Sequence, residues 1–103
     1  MVKRGELWWY EHPQAGRRPY LILTRDEACT VLNQVLAVPA TTVIRGIPTE
    51  VVLSEADGMP RRCALSLDNV SLIRPALCTE RISELSPTVM RLVCEALGYA
   101  TAC

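Results

Sequence analysis

From Glu6 to Leu85 the chain is a succession of short apolar runs separated by Pro, Gly and charged residues, and a helical repeat of apolar side chains begins only after Ser86. That order constrains the fold more than any single motif. Short apolar runs bounded by turn residues form strands, and a domain made mostly of strands must curl its sheet to bury a face. Residues 6–11 are rich in aromatics and lie between Gly5 and His12-Pro13, which predicts a first strand and then a loop over 12–18. Further strands are predicted at 19–24, 35–41, 49–53, 63–67, 70–73 and 82–85, with a short helix or turn at 25–29 and a turn at Asp57-Gly58. At the end, Ser86 suits an N-cap and Pro87 the first helical position. Val89, Leu92, Val93, Ala96 and Leu97 recur at helical spacing, and Gly98 is expected to stop the helix. The fold class is therefore α+β, a small curled antiparallel sheet with a C-terminal α-helix. Nothing reads as a parallel βαβ unit.

A length of 103 residues predicts one domain over 1–103. Formal net charge is zero, which argues against coating duplex DNA through the whole molecular field. Local basic clusters exist all the same, at Arg17-Arg18, Arg45 and Arg61-Arg62. Phe is absent, so Trp8, Trp9 and three Tyr carry all the aromatic volume. The five cysteines are odd in number and form no CxxC, and the one His is remote from them. Neither a zinc site nor a disulfide framework is expected, and reduced cytosolic thiols are. No signal peptide or membrane span is read, so the expected location is the cytoplasm. Sequence signatures for nucleotide binding, zinc proteases and serine hydrolases are all missing, and no metal or other cofactor is called for.

What remains is a set of polar residues at the ends of apolar strands, where the strand fixes a side chain and the loop exposes it. Arg18 precedes the Pro19 strand, Thr41 closes the third strand, and Asp68-Asn69 lies between two apolar runs. Read singly, these are a solvated charge, a hydroxyl bonded to nearby backbone and a turn; His12 is a loop histidine. Trp8 and Trp9 alternate across a strand, so one is expected to face the core and the other a partner or a base, with core or dimer packing the first reading for the pair.

Taken in order, the segments resemble the MazF/PemK (Kid-like) family of type II toxin–antitoxin endoribonucleases. Arg4-Gly5-Glu6-Leu7-Trp8-Trp9 is similar to the family's opening segment, and Gly16-Arg17-Arg18-Pro19-Tyr20-Leu21 to its G-x-R-P segment. Val38-Pro39-Ala40-Thr41-Thr42, Leu65-Ser66-Leu67-Asp68-Asn69-Val70 and the closing helix from Met90 to Gly98 follow in the family's order. The resemblance implies an SH3-like barrel of the CcdB/MazF type and a homodimer. It implies cleavage of single-stranded RNA without a metal, with inhibition of translation and growth. It also implies a cognate antitoxin whose acidic, partly disordered tail crosses the dimer groove. Carried over by position, the catalytic residues are Arg18, Thr41 and Asp68. Arg17, Thr42, Arg45, Asn69, His12 and Tyr20 are expected to contact RNA. Two departures stand out: the loop after the first strand is short, and Ser71 stands where relatives often carry a basic residue.

The implied chemistry is attack by the substrate's own 2′-OH, giving a 2′,3′-cyclic phosphate and a 5′-OH, so no protein nucleophile is required. Arg18 suits phosphate stabilisation, because a guanidinium stays protonated and its planar fork matches two phosphate oxygens. Thr41 is expected to bond a phosphate oxygen or position the 2′-OH, and Asp68 to accept its proton or orient Arg18. His12 is a further acid or base by its ordinary pKa. The rival readings are a gyrase poison like CcdB, an SH3-like adaptor, and a degenerate toxin that binds antitoxin alone. The Arg18-Pro19 and Thr41 pair favours the nuclease.

Overall fold

The computed structural model describes residues 1–103. Seven strands form one curled antiparallel sheet: β1 (Glu6–His12), β2 (Gly16–Ile22), β3 (Val35–Thr41), β4 (Glu50–Leu53), β5 (Cys63–Ser66), β6 (Ser71–Ile73) and β7 (Cys78–Glu84). A short helix α1 (Asp26–Cys29) follows β2, and α2 (Pro87–Thr101) ends the chain. The strands run β4-β5-β3-β2-β1-β7 across the sheet, with β6 paired to β3. The α+β expectation holds, but backbone pairing does not close the barrel. Its open side is bridged where the turn after β4 meets β7, with Ser83 Oγ donating to the Asp57 carbonyl at 2.9 Å.

Three elements differ from the sequence expectation. Residues Arg17 and Arg18 lie inside β2, not in a loop, because a tight turn reverses the chain. The His12 ring shapes that turn: its Nδ1 accepts the Gln14 and Ala15 N–H groups, both at 3.1 Å. The last strand is β7 over Cys78–Glu84, longer than the expected 82–85; its apolar residues are sparse because most of its side chains face solvent. Gly98 does not stop α2, which runs on to Thr101 and ends at Ala102 in the left-handed conformation.

The sheet buries both faces. Leu7, Leu21, Val38, Leu53 and Leu65 point to one side, where α2 adds Val93 and Ala96. Tyr10, Tyr20, Ile22, Val35, Ala37 and Ile73 fill the other. Alternation along β2 alone assigns Leu21 to the first core and Tyr20 and Ile22 to the second. Burial of an aliphatic side chain of this size contributes about 1.5–3 kcal/mol, which is the main reason α2 stays on the sheet. Ser86 Oγ caps α2 by accepting from the Val89 N–H at 3.2 Å.

Glu6 ties β1 to β7. Its Oε1 accepts from the Lys3 N–H at 2.8 Å and the Trp8 indole N–H at 3.1 Å, and its Oε2 from Arg81 Nε at 3.0 Å. Burial works to raise its pKa, but the bonds from Trp8, Arg81 and Lys3 outweigh it and hold the carboxyl below its ordinary value.

Candidate active site

The β2–β3 ladder pairs Leu21 with Val38 and Tyr20 with Pro39, then stops. Two residues further along the same register, Arg18 would face Thr41. The strands part there instead, because β3 leaves β2 and pairs with β5 through Ala40 and Thr41. A cleft of about 420 Å³ opens at the divergence. The hairpin supplies Trp9, Arg17, Arg18 and Pro19; β3 supplies Ala40, Thr41 and Thr42; the approach to β5 supplies Met59, Pro60, Arg61 and Cys63.

Its electrostatics are one-sided. Three guanidiniums line the cleft and no carboxylate does. Arg17 is occupied: it pairs with Glu80 at 3.0 Å and Glu11 at 3.8 Å and lies over the Trp9 ring, 4.4 Å from the centroid. The Arg18 and Arg61 side chains form no ion pair and no hydrogen bond within the chain, so both guanidiniums are free to take an anion. Thr41 Oγ1 accepts from the Val43 N–H at 3.1 Å, which leaves the hydroxyl proton to donate elsewhere. The arrangement can therefore bind a phosphate with guanidinium forks and one hydroxyl. Cys63 is no nucleophile, since burial and then the Asp57 carboxylate push its thiol pKa up and keep it protonated at neutral pH.

Comparison with known proteins bears on what such a cleft is for. Residues 3–100 match the PemK-like, MazF-like toxin of type II toxin–antitoxin systems. The chain belongs to this toxin family. Among similar proteins, the probable endoribonuclease MazF5 of Mycobacterium tuberculosis is 44% identical over 101 residues, covering 97% of this chain and 93% of the relative. The Mycobacterium tuberculosis toxin MazF-mt6 superposes with a TM-score of 0.87 at 29% identity, over 94% of this chain and 96% of that one. A mycobacterial endoribonuclease in complex with its cognate antitoxin gives 0.90 over 99% and 96%; at 24% identity that likeness concerns the fold alone.

The toxin's cleft gathers Arg17, Arg18, Thr41 and Thr42 from the residues expected by sequence and leaves the others outside. Asp68 does not join Arg18 and Thr41. It sits at the far end of β5 from Cys63, on the turn Leu67–Asn69, where its Oδ2 accepts from Thr49 Oγ1 at 2.6 Å. Asp68 is not among the residues that line the cleft. Asn69 donates to Ser66 Oγ at 2.9 Å on the same turn. Arg45 lies 4.0 Å from the Glu50 carboxylate, whose Oε1 also accepts the Arg45 and Gly46 N–H groups. Tyr20 is buried against Tyr10 in the second core, so its ring offers no face to a base. His12 holds its turn through Nδ1 and does not line the cleft.

Two cleft residues were not singled out from the sequence. Arg61 was visible only as half of the Arg61-Arg62 pair, and which half faces the cleft is a tertiary fact. Trp9 was read with Trp8 as a pair, packing first, with one ring toward the core and the other toward a partner or a base, but which ring did which was open. The two separate because Trp8 turns to the second core while Trp9 faces the cleft. No group of three or more His, Cys, Asp or Glu side chains is assembled to hold a metal ion, and no helix is long and apolar enough to cross a membrane.

Proposed function

We propose that this toxin is an endoribonuclease that cuts single-stranded RNA without a metal, and that Arg18 and Thr41 form the centre of its site. One observation carries the reading: an unpaired guanidinium and a hydroxyl with a free proton line the same carboxylate-free cleft. The curated relative at 44% identity bears the name of an endoribonuclease. Unstacked bases of a single strand can enter such a cleft, whereas a duplex holds them stacked.

In this mechanism the 2′-OH of the substrate attacks the adjacent phosphorus. Arg18 holds the non-bridging oxygens as charge gathers on them, and the Thr41 hydroxyl donates to one of them. The 5′-oxygen leaves and takes a proton from water, giving a 2′,3′-cyclic phosphate and a 5′-OH. The 2′-OH proton passes to water, because no imidazole or carboxylate lines the cleft. Catalysis rests on in-line positioning and electrostatics rather than on a base of tuned pKa. The same basic cleft suits an acidic antitoxin tail that competes with RNA for Arg18. Action as a cytoplasmic homodimer of one-domain chains belongs to the same proposal.

Cleavage of a defined single-stranded RNA in EDTA tests it. Removing a donor of this type costs about 10²–10³ in rate, so Arg18→Ala and Thr41→Ala should each fall by that much while the ends map as 5′-OH. Absence of cleavage across varied RNAs by the folded wild type would overturn the proposal and turn attention to gyrase inhibition or antitoxin binding alone.

A further inference from the structure

We infer that the Trp9 indole is a nucleobase platform and that the Arg17 guanidinium is its occupant in the free protein. This rests on the reading of the cleft as an RNA site. The two tryptophans of β1 are treated differently by the fold. Trp8 packs against the second core and directs its indole N–H to Glu6 Oε1 at 3.1 Å. Trp9 is half-buried, lines the cleft beside Arg18 and Thr41, makes no side-chain hydrogen bond, and carries the Arg17 guanidinium 4.4 Å from its ring centroid.

That cover is held loosely. Arg17 is pinned by Glu80 at 3.0 Å and Glu11 at 3.8 Å, and the three side chains are 46%, 67% and 50% exposed. Exposed pairs of this kind hold weakly and exchange with solvent. A guanidinium is planar and stacks on an indole as a base does. An entering nucleobase of either ring size can therefore displace it, gaining the larger contact with the ring. Arg17, freed from the ring, is then placed to take a phosphate of the same strand. Trp9 would tolerate any base, since every base has a π-face, and it would fix the sugar next to it against Arg18 and Thr41.

The test uses a mixed-sequence 2′-O-methyl RNA oligonucleotide, which lacks the attacking hydroxyl, and an abasic oligomer of equal length. In the Trp8→Phe variant, where Trp9 is the only tryptophan, the 2′-O-methyl RNA should quench emission and the abasic oligomer should bind without quenching. In the otherwise native chain, Trp9→Leu should weaken binding of the 2′-O-methyl RNA roughly 5- to 100-fold and leave the salt dependence unchanged, while Trp9→Phe restores most of the affinity. Arg17→Ala should lower the slope of log K against log salt by about 0.7, as loss of one phosphate contact requires. The Trp9→Leu comparison decides the matter even if Trp8→Phe fails to fold. Equal binding of both oligomers with unchanged emission would overturn the platform and leave the RNA reading standing. Binding of neither would overturn the RNA reading and the platform with it.

Discussion

Replacing Gly58 with alanine should destabilise the toxin by about 2–4 kcal/mol, far more than an exposed turn glycine normally costs. Gly58 has φ +86°, and a Cβ built on it would lie 2.5 Å from Ser83 Cβ and 3.0 Å from Ser83 Oγ. Left-handed backbone in a residue with a side chain costs about 1 kcal/mol. The overlap forces the turn away from β7, so the Ser83–Asp57 hydrogen bond is lost, about 0.5–1.5 kcal/mol more. Residual overpacking adds about 1 kcal/mol. For a domain of this size the total lowers Tm by roughly 10–20 °C. Urea unfolding at fixed protein concentration, followed by tryptophan emission, measures it. Gly16→Ala is the control: its φ is +78° and no atom lies within 4 Å of the added Cβ, so only the backbone share of about 1 kcal/mol should appear. Adding Ser83→Gly to Gly58→Ala should recover the overlap. Equal losses for Gly58→Ala and Gly16→Ala would refute the argument that this contact holds the open side of the sheet together.

The Glu6 carboxyl titrates below its ordinary value when folded, so its contribution is present at neutral pH and is lost as pH falls through that lowered pKa. Glu6→Gln should cost about 1.5–3 kcal/mol at pH 7, with the gap to wild type closing below about pH 4, measured by urea unfolding across pH. Cys94 and Cys103 are exposed and should be alkylated readily at pH 8, whereas buried Cys29 and Cys63 should react only on unfolding and half-buried Cys78 far more slowly than the exposed pair. Packing against the second core pushes the Cys78 thiol up to about 11, so its rapid labelling in the folded protein, seen by peptide mapping, would contradict that packing. Asp68→Asn should lower RNA cleavage less than tenfold, since Asp68 bonds Thr49 outside the cleft; a loss of about 10²–10⁴ would restore it as a general base.

The ordered segments from Arg4 to Gly98 carried the family and the strand-rich α+β plan, because short apolar runs and turn residues are local signals. Strand 35–41 was read to the residue, since polar residues flank its apolar run, Asn33-Gln34 before it and Thr41-Thr42 at its end. Ser86 and Pro87 likewise placed the start of α2. Local signals failed where neighbours decide: β2 reaches back through Arg17 and Arg18 because it pairs with β1, and α2 continues past Gly98 because its preceding turns are already packed. The choice among polar residues also lay beyond the sequence. By itself it named Arg18 and Thr41 as candidates alongside Asp68, Asn69, Arg45, His12 and Tyr20. Only the divergence of β3 from β2 sets the first two at one cleft, turns Trp9 and Arg61 toward it, and sends the rest to turns or core. Adjacency in the chain fixes backbone conformation, but proximity of side chains from different strands depends on register and curl, which no single segment encodes.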